Sequence, residues 1–275
     1  MGLGTLGFIG AGRMATAILK GLLEQQTIQP DQVSITARPH PHSESKEIFK
    51  KNFPQCSDSW KSRVEEIVEN SQTIIIAVKP QQIEEIIPKL KRARPETLIV
   101  SIAAGITLDF FERKIGKERR IIRTMPNTPL LLGQGVTAYA WNDASHEADR
   151  ETVECLFKNV GIVLPVNEPQ LNAVTALSGS GPAYFYLFIE ALQQAAIKNG
   201  LDAEASLRMA IQTALGASMM LQQTGLSPRE LIDQVKSKGG TTEAALNTFN
   251  KLNFMELVEQ AFQSANDRSM ELGQE

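Results

Sequence analysis

Two glycines and a small residue, spaced Gly10-x-Gly12-x-x-Ala15 within LGFIGAGRMATAI, are the part of this chain best suited to grip a dinucleotide. Gly10 permits a tight turn, Gly12 lets the backbone approach a pyrophosphate, and Ala15 lets the following helix pack closely on a strand. Unpaired N–H groups at the start of that helix, with its macrodipole behind them, favour a diphosphate. Ile9, Gly10, Ala11, Gly12, Arg13 and Met14 are therefore the expected contacts. NAD sites usually carry an acid at the end of the second strand for the ribose 2′-OH. Here that stretch reads SITARPHPH, with no acid between Val33 and Ser43. Arg38 would instead attract a 2′-phosphate bidentately, so NADP(H) is expected ahead of NAD(H). His40 and His42 read as solvated loop residues that could assist.

Two further runs end in residues of the right kind. AVKPQ supplies Ala77, Val78, Lys79 and Pro80, and SIAAG supplies Ala103, Ala104 and Gly105. Each follows an apolar run, and ligands of open α/β sheets lie at such carboxyl edges. The small side chains leave room for a nicotinamide ring. Lys79 suits either a ribose or diphosphate contact or a snorkelling surface position. Near the other end, SKGGTTEAAL (Ser237–Leu246) interrupts a helical stretch with two glycines and two threonines. Such a segment reads either as an ordinary capped turn or as an anion site at a helix N-terminus. The residues alone leave both open.

Other chemistries find no support. There is no HExxH and no paired-carboxylate motif. SGSGPAY lacks the G-x-S-x-G frame and no histidine lies downstream of it, which excludes serine hydrolysis. What remains suits a reaction whose chemistry a cofactor carries while the protein positions it.

The elements that must do the positioning change character along the chain. Thr5–Ile9, Val33–Thr36, Thr73–Val78, Leu98–Ile102, Ile121–Thr124, Val136–Tyr139 and Ile162–Val166 read as strands, several apolar throughout. Runs of that kind fit strands buried on both faces of a parallel sheet flanked by helices. Beyond residue 166 the pattern turns helical: Asn167–Leu177, Pro182–Lys198, Ala203–Gln223, Pro228–Val235 and Glu243–Leu272, the last broken near Asn253. The expected fold is α/β, an N-terminal doubly wound Rossmann sheet over residues 1–166 followed by an all-α domain over 167–275. PAYFYLFIEAL, with Glu190 its only charge, is apolar nearly all round and must be covered on every side. A partner's helices covering it would make this a dimerisation domain; a central place within one chain's bundle is the alternative.

Composition agrees with a globular enzyme. The 275 residues are 42% hydrophobic and 21% charged, with a net charge of −3, which argues against nucleic-acid or anionic-membrane partners. The apolar start is too short for a secretory signal and no run of about 18 apolar residues occurs, so a cytoplasmic protein is expected. Cys56 and Cys155 stand apart and read as free thiols, with no metal site.

Taken together, FIGAGRMATAI, AVKPQ, RTMPNTP (Arg123–Pro129), ALSGSGPAYFYLFIEAL (Ala176–Leu192) and VKSKGGTTEAAL (Val235–Leu246) resemble the pyrroline-5-carboxylate reductases, in that family's order and over essentially the full length. The resemblance implies reduction of the cyclic imine L-1-pyrroline-5-carboxylate to L-proline with NAD(P)H, by interlocked homodimers that often assemble into decamers. It implies that Ser237, Gly239, Gly240, Thr241 and Thr242 hold the substrate carboxylate, with Thr242 foremost; Lys238 is this chain's own candidate to reach it. Ser178 and Ser180 would shape the same pocket, and Met125–Pro129, with Asn127, would close over the nicotinamide. A protonated imine takes a hydride without a further acid once its carbon lies about 3–3.5 Å from nicotinamide C4. One departure stands out: Lys238 occupies a position where the family usually has proline, which frees the loop and adds a charge beside an anion site. Two other readings stay open at this level, a 3-hydroxyacid dehydrogenase of the 6-phosphogluconate type and a non-catalytic NADP-sensing regulator.

Overall fold

The computed structural model describes residues 3–37 and 45–273. Short apolar runs form strands and the amphipathic stretches between them form helices. In chain order the first unit contains β1 (Leu6–Ile9), α1 (Arg13–Glu24), β2 (Val33–Thr36), α2 (Ser45–Asn52), α3 (Val64–Asn70), β3 (Thr73–Ile76) and α4 (Ile83–Leu90). It continues with β4 (Leu98–Ser101), α5 (Leu108–Ile115), β5 (Arg120–Pro126), β6 (Gly135–Trp141), α6 (Glu147–Phe157), β7 (Gly161–Pro165) and α7 (Gln170–Val174).

The strands make one seven-stranded sheet in the order β2-β1-β3-β4-β5-β6-β7. β1, β3 and β4 are buried at every position, which is why their sequences lack alternation. Successive residues nonetheless feed opposite faces. Phe8, Ile75, Val100 and Ile122 join a core with α1 and α6, whereas Ile9, Ile74, Ile99 and Ile121 join a second core with α3, α4 and α5. The chain reverses strand order between β1 and β3, the switch point at which such sheets bind ligands.

The sheet is not wholly parallel. β6 runs antiparallel to β5, because residues 127–134 are too few for the crossover of roughly a dozen residues that a parallel pair needs. β6 and β7 are parallel again, joined through α6.

The helical run after β7 also differs from a plain helix. α7 ends at Val174 and passes into a single π-helical turn over Thr175–Gly179. Then come α8 (Gly181–Lys198), α9 (Ala203–Thr224), α10 (Pro228–Val235), α11 (Thr241–Lys251) and α12 (Phe254–Leu272). Asp202 and Ser227 cap α9 and α10 through their side chains, and Pro182 and Pro228 sit in first turns. The break at Asn253 has φ 53°, which ends α11 before α12 begins.

Contacts divide the chain into Met1–Gly179 with Ala265–Glu275, and Ser180–Ser264. The compositional change thus lies at 166/167, while the compact helical unit begins at Ser180 and gives its last turns back to the sheet unit. Within the helical unit, Phe185, Tyr186 and Leu187 are each about two-thirds exposed, at 66%, 64% and 66%. An apolar helix in that state needs a covering surface. Among the described residues, no helix is long and apolar enough to cross a membrane.

Candidate active site

The glycine turn is built against the third strand. Gly10 N–H donates to the Thr36 carbonyl at 2.8 Å, and Ala77 N–H donates to the Ile9 carbonyl at 2.8 Å. Gly10 has φ +114°, and a Cβ there would stand 2.4 Å from the Ala77 carbonyl oxygen. Glycine is demanded at this point by the fold itself. Gly12 differs: it is the N-cap of α1 with ordinary extended angles, and a Cβ there would meet no described atom within 4 Å. The space next to it is open, which leaves room for a ligand, and the residues fit a dinucleotide diphosphate. α1 has no side-chain cap and no acid in its first turn, so among the described residues no side chain satisfies its leading amides. Ala15 is fully buried, and the Thr16 hydroxyl donates back to the Gly12 and Arg13 carbonyls. Ile9 is buried, Ala11 and Met14 are half-buried, and Arg13 is exposed.

Along the same carboxyl edge lie Ala77, Val78, exposed Lys79 and Pro80. The Ala103–Gly105 turn follows β4, where Ala103 N–H donates to the Ser101 hydroxyl at 3.3 Å and Gly105 has φ +79°. A cleft of about 240 Å³ opens at this edge, lined by Gly10, Thr36, Ala37, Val78, Ser62 and Arg63 among others. Arg63, which lines this cleft, is not singled out by the sequence. It arrives because Trp60 pairs with Ile35 and the Thr36 hydroxyl donates to the Lys61 carbonyl at 2.8 Å, drawing residues 60–63 alongside β2. Arg38, with His40 and His42, lies outside the described residues. A larger cavity of about 550 Å³ flanks the outer face of α1 between Thr16, Lys20, Phe53 and Leu131, and contains none of the expected cofactor residues.

β5 straps this edge to the π turn. The buried Arg123 guanidinium pairs with Glu168 at 3.1 Å, and the same carboxylate oxygen accepts the Leu108 N–H of α5 at 2.7 Å. The Thr124 hydroxyl donates to the Ser101 carbonyl at 3.0 Å. Asn127, read from sequence as a cofactor contact, is buried and engaged elsewhere. Its amide donates to the Ser178 carbonyl at 3.0 Å and accepts from Val136 N–H at 2.8 Å. It therefore supports the π turn, and a second N–H and a second lone pair of its amide remain. The Ser178 hydroxyl donates to the Val174 carbonyl at 3.0 Å; Ser180 stands at the N-cap position of α8 without a side-chain cap bond. Tyr139 is no acid: burial and the Glu154 carboxylate accepting its O–H push the phenol above its ordinary range.

In the helical unit, Lys236–Gly240 leads into α11. Gly239 adopts φ +73°, Gly240 is the N-cap, and α11 has no side-chain cap. Two loop amides are taken within the segment: Gly240 N–H donates to the Ser237 carbonyl at 3.0 Å and Gly239 N–H to the Glu243 carboxylate at 2.7 Å. Helix geometry leaves the Thr241 and Thr242 amides without intrahelical acceptors. Lys238 is exposed.

Residues 168–272 match the family model described as pyrroline-5-carboxylate reductase dimerisation, and residues 5–105 match that of NADP oxidoreductase coenzyme F420-dependent. A pyrroline-5-carboxylate reductase of Pseudomonas aeruginosa is 39% identical, covering 98% of this chain and 97% of its own. The solved pyrroline-5-carboxylate reductase of Coxiella burnetii superposes with a TM-score of 0.89 at 34% identity, covering 98% of both chains. The pyrroline carboxylate reductase of Plasmodium falciparum, solved with NADP bound, gives 0.85 at 30% identity with the same coverage of each. Likeness of this extent reaches from the glycine turn to the end of α12, and the chain belongs to the pyrroline-5-carboxylate reductase family.

Proposed function

We propose that the chain reduces L-1-pyrroline-5-carboxylate to L-proline with NAD(P)H, closing proline biosynthesis. Relatedness to reductases of this kind over nearly the whole chain carries that reading. The dinucleotide supplies the hydride; the protonated imine carbon accepts it, and the imine nitrogen becomes the secondary amine of proline. The chain's own part is to hold two ends. The Gly10–Met14 turn with the α1 amides takes the diphosphate, while Ala77–Pro80 and Ala103–Gly105 flank the nicotinamide half. Arg38 supplies positive charge for a 2′-phosphate, which favours NADP(H) over NAD(H), while Arg63 of the cleft is paired with Glu66 at 3.2 Å and contributes less.

The substrate carboxylate goes to Ser237–Thr242. Because Gly239 and Gly240 use their amides inside the loop, anchoring falls on the Thr241 and Thr242 amides and hydroxyls at the start of α11. Thr242→Ala is expected to raise KM for pyrroline-5-carboxylate about tenfold, the effect of one hydrogen bond to a charged group, with kcat little changed. A kcat loss at unchanged KM would make Thr242 an imine-orienting residue instead. Lys238→Pro should alter KM for the same substrate, since it removes a charge beside the anion loop and stiffens it; unchanged KM and kcat would mean that Lys238 does neither. The exposed apolar helices of Ser180–Ser264 support a homodimer, and light scattering distinguishes a dimer from a decamer. Two free thiols accord with a cytoplasmic setting. Loss of nicotinamide absorbance on mixing the protein, NADPH and pyrroline-5-carboxylate tests the activity. Absence of turnover would return the chain to a sensing role, and turnover with a 3-hydroxyacid alone to the dehydrogenase reading.

A further inference from the structure

Helix α12 is continuous, yet its last turns belong with the sheet. Ala265–Glu275 clusters with the first unit, although the family match counts residues 168–272 as dimerisation throughout. Ser269 is buried, and its hydroxyl lies 3.0 Å from Asn172 Oδ1 on α7, to which it donates. A Cβ on Gly105 would stand 3.0 Å from the Leu272 carbonyl oxygen. Reciprocally, a Cβ on Gly273 would stand 3.2 Å from the Gly105 carbonyl oxygen. The end of α12 thus meets the Ala103–Gly105 turn backbone to backbone.

We infer that Ser269–Gly273 are positioning residues for the dinucleotide, acting through the Ala103–Gly105 turn that they brace. The inference rests on the dinucleotide reading of that sheet edge. Gly105 sits at positive φ, where glycine is at ease but also most free to leave. A turn that samples other conformations binds its ligand with an affinity reduced by the competent fraction. The α12 terminus removes that freedom: Leu272 and Gly273 lie against Gly105, and the Ser269–Asn172 bond pins them to α7. Gly105 has therefore two reasons to be glycine, its φ and the absence of room beneath α12.

The test is direct titration of the full-length protein with NADPH, following nicotinamide fluorescence without pyrroline-5-carboxylate present. Ser269→Ala removes the pin, and Gly273→Val presses a side chain onto the Gly105 carbonyl. Neither residue is among the proposed ligand contacts. Gly273→Val should raise the NADPH Kd about fivefold or more, through a lower competent fraction, while KM for pyrroline-5-carboxylate moves less than about twofold. Ser269→Ala should move the same constant in the same direction, and adding Asn172→Ala to it should change nothing further. An unchanged Kd in folded Gly273→Val overturns the inference, as does an equal rise in both constants accompanied by a lower Tm, the mark of a merely structural role. Failure of the unaltered chain to bind NADPH overturns the functional reading and this inference with it.

Discussion

Gly12→Val should fold as the unaltered protein does and lose its grip on the dinucleotide. At the N-cap of α1 the angles are φ −76° and ψ 178°, open to any residue, and an added Cβ meets no described atom within 4 Å. Stability should fall by about 1 kcal/mol or less, the difference between glycine and an apolar residue at an N-cap. The valine side chain would nevertheless stand between the α1 amides and an approaching diphosphate. A loss of about 100-fold in dinucleotide affinity, or roughly 2.7 kcal/mol, is expected. Titration with NADPH beside a thermal melt separates the two effects. Gly10→Val supplies the contrast: at φ +114° and 2.4 Å from the Ala77 carbonyl, its side chain clashes with the fold itself, so Tm falls whether or not ligand is present. Gly12→Val that bound NADPH normally would remove the diphosphate from this turn.

Arg123→Met should produce the largest loss of stability. The guanidinium is 6% exposed and its Glu168 partner 26%. Deleting one member of a buried pair strands the other charge, at a cost of about 3 kcal/mol or more. Glu168 would keep the Leu108 N–H, which tempers the loss. For a chain of this size that corresponds to a Tm lower by roughly 6–12 °C, read at fixed protein concentration because association contributes to apparent stability. Glu168→Gln retains an acceptor for Leu108 N–H and should be milder. A Tm for Arg123→Met within about 2 °C of the unaltered protein, well short of that scale, would show the pair to be inert.

The parts of the fold that could be read without coordinates are those governed by neighbours in the chain. The Gly10 turn, the apolar runs of β1, β3 and β4, the first-turn prolines Pro182 and Pro228 and the interruption at Asn253 all follow from local backbone preference and periodicity. The apolar circumference of α8 likewise announced a surface in need of cover. Residues 127–134 were also readable in length, and a stricter reading of that length would have foreseen the reversal of β6.

Other features depended on partners remote in sequence. Arg63 reaches the cleft only through pairing of Trp60 with Ile35. Asn127 turns half of its amide to Val136 and Ser178, which ties it to the π turn as well. Glu243 takes the Gly239 N–H, which reassigns the anion loop's free donors. The return of α12 onto Gly105 has no local signature at all, since nothing in the helix end or in the Ala103–Gly105 turn specifies the other as its partner. By itself the sequence determined which segments would be strands, helices and glycine turns, because those choices are made by torsional preference and burial over a few residues. Which polar groups remain free for a ligand was decided only by the tertiary structure, because a donor's availability depends on whatever acceptor the folded chain brings within hydrogen-bonding distance.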